Sequence, residues 1–418
     1  MNTDSIIKSN DPSRRNFLAV MGETIGTAIF PYTGTSQQKM NSPGDNKRRI
    51  FFASNKKIGL INEDGTDLQY LKFDIPNQVS WQNGPVFSDG RRMIVTSFEE
   101  GKTWEGNVRT HLWIYDLQSK NLTEIALKNR SAPFLVCCGI LPGEERMITG
   151  PIINGEQIVV TMNLDGSDQV QVTRPGEGFT YGVSLSPEAK RLAFHATGKF
   201  AYRIYVINID GSNRTLIAEH PDHLYFGTSW SPDGEWILYQ DCHFKKDPGH
   251  EWSDLCLGRP DGSENRLITQ GLRQWFAASY GSPKTRGSGS NMPQWSPDGS
   301  VITHTRALPD SKTAWEFQSA RADTNHFNRD YTPEEARGGT QICLLNPQTG
   351  LITPITESEP LKWDFRTTWS PDGKKIAFCR AKVGYPSELW IMDADGKNQR
   401  FLTRGENDLG ADHPKFLL

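Results

Sequence analysis

The pentapeptide Trp-Ser-Pro-Asp-Gly occurs three times in this chain, beginning at Trp230, Trp295 and Trp369, and it limits the fold more than any other feature. Pro-Asp-Gly is turn chemistry: proline presets φ, aspartate bonds nearby backbone, and glycine tolerates a positive φ. Each copy joins an extended run to a second one, as in "NMPQW" and "SVITHTR". Degraded copies stand at "SLSPEAK" from Ser184 and "FSDGRR" from Phe87. A second turn recurs as "NEDGTD" from Asn62, "NLDGSD" from Asn163, "NIDGSN" from Asn208, "RPDGSE" from Arg259 and "DADGKN" from Asp393. Looser versions start at Asp116 and Asn346, which makes seven, mostly 45 to 54 residues apart.

Two hairpin turns per period mean four short antiparallel strands, the unit of a β-propeller blade. The predicted fold is all-β: a seven-bladed β-propeller of four-stranded antiparallel blades over residues 48–418. The first unit, from "RRIFFAS", has three strands of its own, and the C-terminal "GADHPKFLL" supplies its fourth. Such a strand completes blade 1 and closes the ring, leaving no open edge. One interval, from Arg259 to Asn346, is 87 residues and holds two insertions in blade 6, at 270–291 and 306–339.

These residues resemble the repeats of the TolB-type propeller family: a strand, "WSPDG", a strand, then a "DG" hairpin. The resemblance covers roughly residues 48–418 and implies the fold. It implies little about activity, because propellers host many.

Ahead of the repeats, "SRRNFLA" (Ser13 to Ala19) resembles the twin-arginine export motif, with five positions matching. A weakly apolar stretch follows, interrupted by Glu23. We read residues 1–40 as an export signal and disordered leader, and the mature protein as periplasmic or secreted. No run of 18 apolar residues occurs, so no integral membrane segment is expected after signal removal. Net charge is −3 with no basic tract, which argues against nucleic acid as a partner.

The short turns all fall on one face of such a propeller, and the long connections fall on the other. Loops that a scaffold does not need usually bind or cover something. Polar residues at strand ends on that face are therefore candidates: Asn83, Tyr181, His195, His223, Tyr225, Asp241, Asn291, His304, Arg306, Arg366, Arg380 and His413. The bland alternative is hydrogen bonds and ion pairs between blades, because buried polar groups need partners.

Phosphate-loop and dinucleotide fingerprints are absent, so no nucleotide cofactor is expected. A serine-hydrolase elbow and a facing carboxylate pair are likewise missing. Imidazole, phenol and guanidinium groups suit β-elimination of a uronic-acid polysaccharide. Arg366 or Arg306 would neutralise the carboxylate, His195 or His223 would take the α-proton, and Tyr225 would protonate the leaving oxygen. Tyr181, Asn291, His304 and Arg380 would bind substrate. Trp275, Trp315 and Trp363, with Trp252, would stack on sugar rings.

The architecture is similar to oligogalacturonate and ulvan lyases. The closing "DHPKF" resembles the His-Pro-x-Phe end of oligogalacturonate lyases, whose histidine ligates a metal. That resemblance makes His413 a candidate ligand for a divalent ion (zinc, manganese or calcium). Ala411 stands where the family's second histidine would be. A separate candidate is "DCHFKKDPGHEWSDLC": Cys242, His250, Asp254 and Cys256 suit zinc. A Cys242–Cys256 disulfide and buried free thiols are its alternatives.

The sequence thus leads to an exported polysaccharide lyase acting on acidic oligo- or polysaccharides. Its competitor is a non-catalytic, TolB-like binding propeller for a protein or glycan partner.

Overall fold

The computed structural model describes residues 47–99, 109–128, 137–154, 156–176, 178, 180–197, 202–242, 252–317, 329–357, 359–405 and 408–417. The leader at 1–40, the loop histidines at 243 and 250, and residues 318–328 of the second insertion lie outside them. Among the described residues the chain is all-β and propeller-like, with one helical turn at Pro333–Glu335.

The turns form as their chemistry dictates. In each "WSPDG" the serine hydroxyl bonds the aspartate two residues on, as from Ser231 to Asp233 at 2.5 Å. The same hydroxyl accepts the N–H of Trp236 at 2.9 Å, which closes the hairpin. Successive turns also stack. A Cβ added at Gly299 would meet Pro232 at 3.4 Å, and one at Gly373 would meet Pro297 at 3.7 Å. Two of the three tryptophans tie their unit to the one before: Trp230 Nε1 donates to the Ser184 carbonyl at 3.0 Å. Trp295 Nε1 does the same to Ser229 at 3.4 Å. The pentapeptide is repeated because it is a staple between neighbouring sheets.

Four separate four-stranded sheets are present. The first comprises Gln69–Leu71, Lys57–Asn62, Arg49–Ser54 and Asp412–Phe416, so the C-terminal strand does join the N-terminal one. The second runs from Gln78–Val86 to Leu122–Ile125 and the third from Cys137–Ile140 to Val170–Gln171. The fourth runs from Thr180–Leu185 to Thr215–Ala218. Of the seven four-stranded sheets expected, four stand as separate sheets. From Tyr225 to Thr403 the chain forms one thirteen-stranded sheet instead.

The fusion has a physical cause in the insertions. The short strand Gln274–Trp275 bonds both Trp252–Gly258 and Ile302–Ala307. A parallel bridge from Thr340 to Trp363 then joins the next two hairpin systems. The insertions also form two small hairpins, Ala277–Tyr280 with Gly287–Ser290 and Trp315–Phe317 with Arg329–Tyr331.

The core lies between sheets. Phe51, Leu60, Trp81 and Val95 join the first sheet to the second. Ile50 and Phe52 pack with Phe365, Ala377 and Leu389, which joins the first sheet to the last strands. Each buried Phe, Leu, Ile or Val among them contributes about 1.5–3 kcal/mol.

Candidate functional site

Strand Tyr225–Trp230 begins two residues after His223, and its first residue is the cross-strand partner of Asp241. That register sets an imidazole, a phenol and a carboxylate at one strand mouth. His223 Nδ1 lies 2.7 Å and 2.9 Å from the two oxygens of Asp241. The carboxylate is buried, while the imidazole keeps 18% of its side-chain surface exposed. Asp241 faces the Nδ1 side of the ring and so fixes its orientation.

Tyr225 lies beside this pair, its ring centroid 5.9 Å from that of His223. Burial, reinforced by the negative charge of Asp241, pushes its phenol up to about 12. The hydroxyl therefore keeps its proton at neutral pH. His220 adds a second imidazole, edge-on to His223 at 4.3 Å. A carboxylate-oriented imidazole next to a protonated phenol can take a proton at one atom and deliver one from another.

The other proposed residues are not gathered there. His195 is fully buried against Tyr202 and Phe226, and its Nδ1 accepts the N–H of Gly227 at 3.3 Å. A Cβ at Gly182 would lie 2.3 Å from that ring, so only glycine leaves room for it. Burial drives His195 down to about 3, and His304, also buried, likewise. Both are core imidazoles, not a base and a substrate contact. Tyr181 is the strand partner of His195, and its side chain lies outside the described residues.

Arg366 is also a correction. It is buried, takes a left-handed φ of 54°, and donates from Nε to Asp412 at 2.9 Å. Nη1 donates to the Ser290 carbonyl, and the backbone N–H donates to Asn291 at 2.9 Å. Asn291 also donates to Trp275 and Thr305, both at 2.9 Å, so it is scaffold and not a sugar contact. Arg380 forms a buried two-bond pair with Asp364, at 2.6 Å and 2.9 Å, and lies 4.2 Å over Trp390. Arg306 remains half-buried at the end of Ile302–Ala307, paired across the sheet with Gln274 and Gln341.

The tryptophans do not form a sugar platform. Trp275 and Trp363 are buried with centroids 5.0 Å apart. Trp315 is buried under Arg286 and bonds the Gly281 carbonyl at 3.1 Å. The cavity beside Trp315 and Trp363 measures about 10 Å³, room for one water and not for a sugar ring. The inserted hairpins cover these rings.

The cysteine site is corrected too. Cys242 and Cys256 are buried and are not joined by a disulfide. Asp254 accepts from Thr269, Gly271 and Leu272 at 2.9–3.0 Å, which fixes a turn. His250 lies outside the described residues. Among the described residues no group of three or more His, Cys, Asp or Glu side chains is placed to hold a metal. At the C-terminal strand, His413 has one nearby carboxylate, Asp412, already bonded to Arg366. That donor set does not fit a divalent ion.

No family model matches the chain. Over 111 residues it is 31% identical to the uncharacterized peptidase YuxL of Bacillus subtilis, spanning 27% of this chain and 13% of that protein. Among solved structures, an oligogalacturonate lyase in complex with manganese covers 77% of this chain and 76% of its own, at 14% identity and a TM-score of 0.50. A puromycin hydrolase covers 92% of this chain and 56% of its own, at 13% identity and 0.55. TolB from Acinetobacter baumannii covers 88% and 82%, at 11% identity and 0.48. The chain is thus similar in fold to the oligogalacturonate lyase and the puromycin hydrolase. No described helix is long and apolar enough to cross a membrane.

Proposed function

We propose that this chain is an exported carbohydrate-active enzyme that cleaves uronic-acid-containing glycans by β-elimination. The supporting observation is the His223–Asp241 pair with Tyr225 at the same strand mouth. In this reading His223 Nε2 takes the proton from the carbon α to the carboxylate. That electron pair forms the new double bond as the bond to the glycosidic oxygen breaks, and Tyr225 protonates the leaving oxygen. No step is assigned to a metal.

The same proposal counts the thirteen-stranded sheet as three fused blades. Its hairpin systems are Tyr225 to Leu267, Gln294 to Pro354 and Lys362 to Thr403. With the four separate sheets these make seven. Packing of Ile50 and Phe52 on Phe365 supports a closed ring. The twin-arginine-like segment at Ser13–Ala19 supports export to the periplasm or beyond.

The test is incubation with pectic, ulvan and glucuronan polysaccharides, followed by the ultraviolet absorbance of unsaturated uronate ends. Tyr225→Phe is expected to lower the rate by about 10²–10⁴-fold, the usual worth of a positioned proton donor. An unaltered rate in Tyr225→Phe removes it as the acid. A second reading, a binding propeller for a protein or glycan, is supported by the burial of Trp275, Trp315 and Trp363. Silence on every polysaccharide, together with capture of a partner, would favour it.

A further inference from the structure

The C-terminal histidine that resembles a metal ligand sits in surroundings built for a different charge. Asp412 Oδ1 receives three donors: Arg366 Nε at 2.9 Å, His413 Nδ1 at 3.1 Å and the His413 backbone N–H at 2.8 Å. A permanent cation therefore lies within two hydrogen-bond lengths of the imidazole. Lys415, two residues on, acts on the same ring in the same direction. The Tyr280 phenol faces Asp412 from the inserted hairpin, and the buried Cys379 thiol lies in the same cluster.

Both Arg366 and His413 hold left-handed φ values, 54° and 48°, on bulged strands. Such conformations are costly for side chains of this size and persist only where surrounding contacts fix them. Here the fixing contacts are the guanidinium's bonds to Asp412 and Ser290, and the Asn83 amide on the His413 carbonyl at 2.9 Å. With Nδ1–H directed at Asp412, His413 Nε2 is left as a single lone pair, buried and unpartnered. The nearest unpartnered polar atom of Arg366, Nη2, is an N–H donor and repels a cation.

We propose that Arg366 is a built-in cation that does the work of a divalent ion at this strand junction, so His413 binds no divalent metal in this chain. Asp412 Oδ1 is taken up by Arg366 and His413, so only Oδ2 and the His413 Nε2 lone pair are open, and beside a fixed positive charge these two atoms fall short of the four to six ligands a zinc, manganese or calcium ion needs. The guanidinium holds Lys362–Trp369 to Asp412–Phe416, as a bridging ion would. This inference does not rest on the lyase reading and stands or falls separately from it.

The test is manganese, calcium and zinc titration of the full chain after dialysis against chelator, reading bound metal per chain and the thermal midpoint. The expected result is no metal retained and a midpoint the same with each ion as with chelator. Metal bound equally by the native chain and by His413→Gln places the ion elsewhere and leaves the inference standing. One ion per chain, lost in His413→Gln, overturns it. Should His413→Gln not fold, manganese broadening of the His413 ring resonance in histidine-labelled protein overturns it equally.

Discussion

Asp412→Ala is expected to lower the free energy of unfolding by about 3–5 kcal/mol, because it strands a buried guanidinium without its counter-charge. The side chains of Arg366 and Asp412 are nearly inaccessible to water, and they join strands 46 positions apart in sequence. The Arg366 charge and the His413 ring hold the Asp412 carboxyl well below the usual carboxylate range, against the opposing effect of burial. Removing both partners together behaves differently, since no unpaired charge remains. Arg366→Met with Asp412→Leu should recover most of the loss. Urea midpoints for the two single variants and the double variant measure this. Equal midpoints in Asp412→Ala and the native chain would show that the clasp contributes nothing.

Mild acid should destabilise the fold before any carboxylate titrates. His195 and His304 are buried, and both are driven down to about 3 by desolvation. In the unfolded chain an imidazole binds its proton near pH 6.5. Between those values the unfolded state holds more protons, so stability is complete above about 6.5 and falls as pH drops. Each imidazole gives a slope of about 1.4 kcal/mol per pH unit, so the pair loses about 3 kcal/mol per unit below pH 6. Depressed carboxylates such as Asp372 act in the same direction but in a lower window, losing stability only below the unfolded value near 4. His304→Leu should lessen the slope by about 1.4 kcal/mol per unit. Urea midpoints that do not change between pH 7 and pH 5 would contradict the assignment.

How much was legible depends on the range of the interaction involved. The hairpins were readable because their chemistry is local: Asp210 bonds Ser212 two residues away, and Gly211 supplies the positive φ. The sheet count was not. The strand Gln274–Trp275, which fuses two units, carries no turn signal of its own and forms only through pairing on both sides.

His223 and Tyr225 were readable as polar residues opening a strand. Asp241 was noted only as a strand end, and its role follows from the Tyr225–Asp241 register. The remaining errors share one cause. Strand ends between packed sheets are buried, and sequence cannot separate a polar group facing a cavity from one answering a neighbour. Arg380 answers Asp364, Arg366 answers Asp412, and Trp315 answers the Gly281 carbonyl. Each partner belongs to another strand or an inserted hairpin.

The most direct test is the rate of unsaturated uronate formation by the native chain, His223→Ala and Asp241→Asn, each checked for an unaltered urea midpoint. The account predicts a measurable rate in the native chain, a fall of about 10²–10⁴-fold in both variants, and no compensating change in substrate affinity. Equal rates in all three proteins would contradict it.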